Sequence, residues 1–337
     1  MLKSTSLFTC FFGTKRSHFY VCYFISSVPI RYLEKFLTHF KESFKGSVQM
    51  RYFWLAFSAA AAIFLVNILG FIDTMTNSAQ GCGPGYPLCN GKLFPDFNDY
   101  HSVIEYTHRI FVGLASILLF IVSALSWFRY KIRRIKWLVV FAVLGILGES
   151  TLGALTVMIK LSPMLLAAHL GIALISFSAL FNMAYVIYHE EKKIHQVHRM
   201  PSSFTAFSWF IFIFLYAALY FGGYVAKTGS GANFRGFPFP TEQFAVVGQA
   251  YWVDVIHRLF ALCLIILFIF LALMAKRSRV QRPDIYRFSL ICLLLILLQG
   301  LSGALLIYTH LSLGSVLMHV SFLSLLIGTL SAICVQS

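Results

Sequence analysis

The chain has 337 residues, of which 59% are hydrophobic and only 12% charged, and its formal net charge is +15. A water-soluble domain has about a quarter charged residues and under half apolar residues. The composition therefore excludes a soluble globular enzyme, a disordered chain and a DNA-binding protein, and it indicates an integral membrane protein. The seven cysteines are too few for a disulfide-scaffold protein.

Eight segments are long and apolar enough to cross a bilayer, which takes about 20 residues of helix. The predicted spans are Tyr52–Ile72, His101–Trp127, Trp137–Met158, Pro163–Tyr188, Phe204–Ala226, Ala250–Ala275, Arg287–Tyr308 and Ser312–Val335. The short alternating strands of a membrane barrel are absent from the sequence. The predicted fold class is therefore an all-α integral membrane protein with eight transmembrane helices.

Basic residues fall mainly on one side of these spans. Of the 27 Lys and Arg residues, 21 precede the first span or lie in the loops after the second, fourth and sixth spans. The other side holds Lys92, Lys160, Lys227 and Arg235. The positive-inside rule places both termini in the cytoplasm or matrix. We therefore interpret the net charge as a topology signal and predict the lipid bilayer, and no nucleic acid, as a partner.

Residues 1–50 precede the first span and are interpreted as a cytoplasmic extension. Their longest apolar run, Phe19–Ile30, is too short to cross a membrane. No acidic residue precedes Glu34, which is a weak feature of a mitochondrial transit peptide. Met50 directly precedes the first span, so we expect that translation can start there. We predict a multi-pass protein of the cell membrane, with the mitochondrial inner membrane as the alternative.

The second half of the chain repeats the first with an offset of 149 or 150 residues. The matched segments are Glu105-Tyr-Thr-His108-Arg109 with Asp254-Val-Ile-His257-Arg258, Glu149-Ser-Thr-Leu-Gly153 with Gln299-Gly-Leu-Ser-Gly303, and His169 with His319. Four spans per repeat give both halves the same orientation, related by a pseudo-twofold axis along the membrane normal. We predict two pseudosymmetric four-helix bundles, at residues 51–190 and 204–337, joined by a cytoplasmic linker at residues 191–203.

Four histidines lie within spans, on the second and fourth span of each half: His108, His169, His257 and His319. Each lies about 10 Å below the outer surface, counted at about 1.5 Å per helical residue. An ionisable side chain in a membrane is a functional candidate, and two facing imidazoles can bind heme iron from both sides. We predict two bis-histidine heme sites. A copper or zinc site and four hydrogen-bonded packing histidines are the alternatives.

Arg109 and Arg258 each follow one of these histidines directly. A guanidinium pairs well with a carboxylate, so both are candidates for contacts to heme propionates. The alternative is that each side chain only extends to the membrane interface.

The first outer loop contains Cys82-Gly-Pro-Gly-Tyr-Pro-Leu-Cys89, whereas the equivalent loop of the second half has no cysteine. The outer side of either candidate membrane permits disulfides. We predict a Cys82–Cys89 disulfide that shapes a lid over the first heme pocket. A dithiol that exchanges with a redox partner is the alternative.

Two carboxyl groups of the first half are further candidates. Glu105 precedes His108 by three residues and so shares its helix face. It can transfer protons during oxidation of a buried substrate, or it is an interfacial carboxylate paired with Arg109 or Lys92. Glu149 lies deep in the third span, where a proton relay and a structural hydrogen bond both remain open.

These motifs together resemble the heme A synthase family. They are Gly81-Cys82-Gly-Pro-Gly-Tyr-Pro-Leu-Cys89-Asn90-Gly91, Ile104-Glu105-Tyr-Thr-His108-Arg109 and Gly222-Gly223-Tyr-Val-Ala-Lys-Thr228. The resemblance runs from Tyr52 to the end, and the cysteine pair is similar to that of cysteine-containing bacterial members. One departure is Gly70-Phe-Ile-Asp73, where the family often has Gly-Gly followed by Arg or Lys.

The resemblance implies a reaction and a division of roles. Heme O would be oxidised at a ring methyl to the formyl group of heme A, with oxygen from water, for cytochrome oxidase biogenesis. His108 and His169 would be the ligands of the substrate heme iron, Glu105 the catalytic carboxyl, and His257 and His319 the ligands of a heme b cofactor. The implied partners are heme O, a heme O synthase that supplies it, an electron acceptor of unknown identity, and a second copy of the chain if it is a homo-oligomer.

Two other functions remain open from the residues alone. One is a non-catalytic diheme protein that transfers electrons, and the other is a heme carrier. The cysteine loop and Glu105 occur in one half only, and electron transfer needs no such asymmetry. This difference between the halves favours the enzyme.

Overall fold

The computed structural model describes residues 50–158, 163–194, 198–228, 231 and 236–337. The N-terminal extension before Met50 lies outside the described residues. The helices of the described part are α1 (Arg51–Met75), α2 (Tyr100–Arg129), α3 (Arg133–Met158), α4 (Pro163–Glu191), α5 (Ser202–Thr228), α6 (Phe244–Val247), α7 (Gln249–Arg277), α8 (Pro283–Tyr308) and α9 (Leu313–Gln336).

All of these helices except the short α6 are long and apolar enough to cross a membrane, which confirms the prediction of eight spans. The helices continue beyond the predicted spans by a few residues. For example, α8 begins at Pro283 rather than Arg287, and α2 ends at Arg129 rather than Trp127. Hydropathy marks only the part of a helix in the lipid core, whereas the helix itself continues into the interface, where charged side chains are tolerated.

The two halves show the same pattern of helix contacts. In the first half α1 packs against α2 and α4, and α3 packs against α2 and α4. In the second half α5 packs against α7 and α9, and α8 packs against α7 and α9. Each half is thus a ring of four helices with the same neighbours.

Helices α4 and α9 lie at the centre of the protein. They pack against each other, and the most apolar window of each is mostly buried (72% and 56%), whereas the other spans bury only 22–33%. Asn182 Nδ2 on α4 donates to Ser331 Oγ on α9 at 2.7 Å. This hydrogen bond joins the two halves between their most buried helices. The outer helices therefore present their apolar faces to lipid.

Candidate functional site

Each of the four intramembrane histidines packs against a glycine of the preceding span in its own half. A Cβ atom added to Gly70 would lie 3.1 Å from His108 Cε1, and one added to Gly222 would lie 3.0 Å from His257 Cε1. The corresponding distance from Gly153 to His169 Cε1 is 3.3 Å, and from Gly303 to His319 Cε1 it is 3.5 Å. The absence of a side chain on these glycines lets the imidazole rings lie directly on the neighbouring helix backbone.

The structure brings the histidines together in pairs within each half. His108 lies within electrostatic reach of His169, and His319 within reach of His257. Nδ1 of His108 and Nδ1 of His257 are buried and have no hydrogen-bond partner among the described residues. A buried polar atom without a partner costs free energy. These nitrogens are therefore available to a group that the polypeptide does not supply.

His319 differs from the others because both of its ring nitrogens are engaged. Gln299 Nε2 lies 2.9 Å from His319 Nε2, and Ser302 Oγ lies 2.9 Å from Nδ1. An amide NH₂ only donates, so Nε2 accepts and the ring proton lies on Nδ1. Ser302 donates its own proton to Gln299 O at 2.9 Å and so accepts from Nδ1. This arrangement leaves the lone pair of His319 on Nε2.

Glu105 is buried, with 2% of its surface exposed, and connects α2 to the first outer loop. Its Oε2 accepts a hydrogen bond from the backbone N–H of Cys82 at 2.7 Å, and its Oε1 lies 2.5 Å from Arg109 Nη2. Arg109 Nη1 in turn donates to the carbonyl of Leu88 at 3.2 Å. The ion pair with Arg109, one of the two alternatives to a catalytic role, is therefore present, and Lys92 is not its partner.

The first outer loop contains the predicted disulfide between Cys82 and Cys89. Both cysteines are buried, and the loop lies against the first turn of α2. A Cβ atom at Gly81 would lie 2.4 Å from the backbone carbon of His101, so only glycine permits this approach. Ser102 Oγ contacts both Gly81 O and the carboxylate of Asp99, at 2.6 Å each. The loop therefore holds Cys82 N in place beside Glu105.

Asp99 caps the N-terminus of α2 at the same point. Its carboxylate accepts hydrogen bonds from the backbone N–H groups of His101 and Ser102. The hydrogen bond from the Ser102 hydroxyl, together with these backbone donors, lowers the pKa of Asp99 below its ordinary value. The first turn of α2, which begins the helix carrying Glu105 and His108, is thus stabilised by a carboxylate at neutral pH.

The second half contains a related ion pair. Asp254 Oδ2 lies 2.6 Å from Arg258 Nε, and Arg258 Nη1 donates to the loop carbonyls of Gly236 and Pro238. Arg258 Nη2 is buried and has no hydrogen-bond partner among the described residues. In both halves an arginine that is paired with a carboxylate donates hydrogen bonds to an outer loop. Among the described residues, Arg258 has buried N–H donors without a hydrogen-bond partner and Arg109 does not.

Glu149 is buried in α3, and its Oε2 has no hydrogen-bond partner within the described part of the chain. Its repeat equivalent is Gln299, which contacts His319. By analogy with Gln299, Glu149 would lie beside the histidine pair of the first half, but this rests on the repeat alone. Its role as a relay or a structural group stays a prediction.

Several site residues were missed by the sequence reasoning. Asp73 is buried with 6% exposure, close enough to Glu105 and Arg109 for their charges to interact. Gly70 and Gly222 were quoted only within motifs, and Ser302 only within the repeat. Aligning the first spans of the two halves would have paired Gly70 with Gly222 and shown that Asp73 replaces Val225.

Comparison with known proteins relates this arrangement to one family. Residues 52–331 match the family described as cytochrome oxidase assembly protein. A protein of Bacillus pumilus named heme A synthase is 33% identical over 280 residues, which cover 80% of this chain and 90% of that protein. Proteins of the same name from Bacillus licheniformis and Bacillus cereus are 34% and 30% identical, with 80% and 82% of this chain and 90% of each relative covered.

Proposed function

The chain belongs to the cytochrome oxidase assembly protein family, and from this membership we propose that it is a heme A synthase. This enzyme is a membrane-embedded oxidoreductase that converts a ring methyl of heme O to the formyl group of heme A. The observation that best supports the proposal is the pair of half-buried histidines in each half. Two imidazoles held on facing helices can bind one heme iron from both sides.

The residues present fit a heme in each half. The unpartnered Nδ1 atoms of His108 and His257 show that these rings are not satisfied by the protein. Among the described residues no group of three or more His, Cys, Asp or Glu could hold a metal ion. A copper or zinc site needs such a group, whereas a porphyrin supplies most of the iron ligands itself. The donor set therefore favours heme.

We assign His108 and His169 to the iron of the substrate heme O, and His257 and His319 to a heme b cofactor. The first half alone carries the disulfide loop and the glutamate that this loop holds. Chemistry on a bound substrate requires such added groups, whereas an electron-transfer cofactor does not. When bound, heme b would supply one-electron redox chemistry that passes electrons to an acceptor in the membrane.

Glu105 is the proposed proton acceptor. Converting a methyl group and one water molecule to a formyl group releases four protons and four electrons, so the site must remove protons repeatedly. Glu105 lies one helical turn from His108 on the outer side and is shielded from bulk solvent. Cys82 N and Arg109 contact its two oxygens and hold the carboxylate in position. It can then accept a proton and release it toward the outer loop.

The two arginines have different capacities for heme propionates. The donors of Arg109 are directed at Glu105 and the loop carbonyls. Arg258 retains a buried Nη2 without a partner in the described part of the chain, which supports a propionate contact there. We keep both as propionate contacts, with Arg258 the stronger candidate.

The chain is a multi-pass membrane protein, and we place both termini on the cytoplasmic side of the cell membrane because of the Lys and Arg distribution. Its proposed partners are heme O, the heme O synthase that delivers it, and a membrane electron acceptor. A homo-oligomer remains part of this proposal.

The test is conversion of heme O in cells that express the full chain and supply heme O. Extracted pigments should contain hydroxylated heme O and heme A. Glu105→Ala should lower conversion by about a hundredfold or more, the usual contribution of a general acid or base. The matched variant Asp254→Ala also removes the carboxylate of an i,i+4 ion pair with an arginine that contacts a loop, but it should retain most of the conversion.

Spectra of the same preparations separate catalysis from folding. Glu105→Ala should keep the low-spin signal of the heme bound by His257 and His319. Two bound low-spin hemes with an unchanged heme O pool would instead identify a non-catalytic electron-transfer protein. Retained conversion in Glu105→Ala would remove this carboxyl from the mechanism.

A further inference from the structure

A cavity of about 560 Å³ opens at the end of the bundle that carries most of the Lys and Arg residues. Its volume lies in the range of small-ligand sites, about 300–1,000 Å³. Both halves and the linker contribute to its walls. The polar side chains used in the argument are Arg134, His189, Glu190, His198, Arg199 and Arg282. None of these residues belongs to the histidine sites, which lie toward the opposite ends of the helices.

Arg282 forms the fixed wall of this cavity. It is only 2% exposed and pairs with Asp284 through two contacts, at 3.0 and 2.9 Å. It also donates to the carbonyls of His198 and Gln336, at 3.1 and 2.9 Å. A buried charge must be paired and hydrogen-bonded, and this one is. Arg282 therefore connects the linker to the end of α9 and fixes this wall of the cavity. Its own charge is balanced by Asp284.

Arg134 and Arg199 do contribute net charge. Arg134 Nη1 donates to the neutral Gln336 Oε1 at 2.6 Å, while Arg199 has no hydrogen bond or salt bridge among the described residues. The charges of Arg199 and Arg282 both act on Arg134. Glu190 is the only acidic residue among the described residues that line the cavity. Arg134 and Arg199 outnumber this one glutamate, so the side chains that line the cavity carry a net positive charge.

We propose that this cavity binds a phosphate-bearing anion. Guanidinium groups match phosphate oxygens in charge and geometry and bind them through paired hydrogen bonds. The cavity lies where the helices end, at the level of lipid headgroups, and the apolar Val186 and Ile194 also line it. Basic pockets between transmembrane helices on the positively charged side accept anionic headgroups. The anion comes either from such a lipid or from free phosphate in the aqueous phase.

The test uses the purified full-length protein in two arms. In the first, thermal unfolding is followed during titration with sodium phosphate, against sodium chloride at equal ionic strength. In the second, native mass spectrometry measures lipid retained from phosphatidylglycerol micelles, against phosphatidylcholine micelles. The variant is Arg199→Gln, which leaves the buried Arg282 intact. The control is Arg279→Gln, an exposed arginine on the same side that does not line the cavity.

We expect saturable binding that Arg199→Gln weakens about tenfold, the loss typical of one charge-assisted hydrogen bond, and that Arg279→Gln leaves unchanged. Saturation by phosphate alone identifies a soluble ligand, and selective retention of phosphatidylglycerol identifies a lipid headgroup. Either result supports the site. No saturation in either arm, or equal losses in both variants, overturns it. Since neither arm measures heme conversion, failure here leaves the proposed function unaffected.

Discussion

Ser302 determines which ring nitrogen of His319 carries the proton. It accepts the Nδ1 proton and leaves the Nε2 lone pair facing the Gln299 amide, which would have to move aside for Nε2 to hold a heme iron. In the first half the equivalent position is Leu152, so His169 has no matching hydroxyl there. A ligand imidazole whose N–H is hydrogen-bonded is a stronger electron donor to its metal. In the heme b site that we propose for the second half, this contact would therefore lower the potential of the heme.

We predict that Ser302→Ala raises the midpoint potential of the heme bound by His257 and His319. Losing one hydrogen bond of about 1 kcal/mol corresponds to a shift on the order of 40 mV for a one-electron couple. Redox titration of the purified protein measures it, and Ser302→Thr should restore the original value because it keeps the hydroxyl. An unchanged potential in Ser302→Ala would show that the contact is lost once heme is bound.

Asp73 is a buried carboxylate at a position where the other repeat has an apolar residue. Its Oδ1 is buried without a hydrogen-bond partner among the described residues, and the second half has Val225 at the equivalent position. An incompletely paired buried carboxylate costs free energy.

We therefore expect Asp73→Asn to raise the free energy of unfolding by about 1 kcal/mol at neutral pH. Unfolding in detergent micelles measures this change, and Asp96→Asn on the exposed outer loop provides a control with the same loss of charge. A decrease in stability would mean that Asp73 and Arg109 form a favourable pair that outweighs the cost of burial.

At the scale of helices, the contact between each histidine and the preceding span depends on the lack of a side chain. The four glycine-to-histidine distances are graded, from 3.0 Å at Gly222 to 3.5 Å at Gly303. A contact of 3.5 Å is ordinary, whereas one near 3.0 Å forces the ring or the helix to move. This gradation provides a test of ring placement within one half of the protein.

We predict that Gly222→Ala displaces the His257 ring and lowers heme content severalfold, while Gly303→Ala on the same heme leaves it nearly unchanged. The reason is that a ligand displaced by a few tenths of an ångström loses its geometry at the iron. The ratio of heme absorbance to protein measures the effect. Equal heme contents in the two variants would show that the site adjusts freely to the added methyl group.

Hydropathy predicted the helices well because a membrane span must be long and apolar whatever it contacts. The disulfide between Cys82 and Cys89 could also be predicted, because the two residues are close in the chain and lie on the outer side. Of the two contacts to Glu105, the sequence suggested the ion pair with Arg109 but not the hydrogen bond from Cys82 N. This hydrogen bond depends on how residues 81 and 82 lie on the start of α2, which no periodicity encodes.

At the scale of the whole molecule, the sequence repeat predicted two bundles but not how they join. The two halves meet along α4 and α9, where Asn182 donates a hydrogen bond to Ser331. Small residues let helices approach closely in membranes, where apolar burial gives little driving force. Gly328 on α9 is such a residue, since an added Cβ would lie 2.8 Å from Phe177 Cε1 on α4. Neither α4 nor α9 carries a hydropathy pattern that marks this crossing point.

We predict that Gly328→Ala lowers the free energy of unfolding by about 1–3 kcal/mol, the cost of overpacking a close contact. The matched control is Gly113→Ala on α2, where an added Cβ meets no atom within 4 Å. That variant should be neutral or stabilising by about 1 kcal/mol, because alanine favours a helix over glycine. Unfolding of the two variants in the same detergent measures the difference. Equal stabilities would show that the close contact at Gly328 does not stabilise the interface between the two halves. The other helices would then contribute most of that interface.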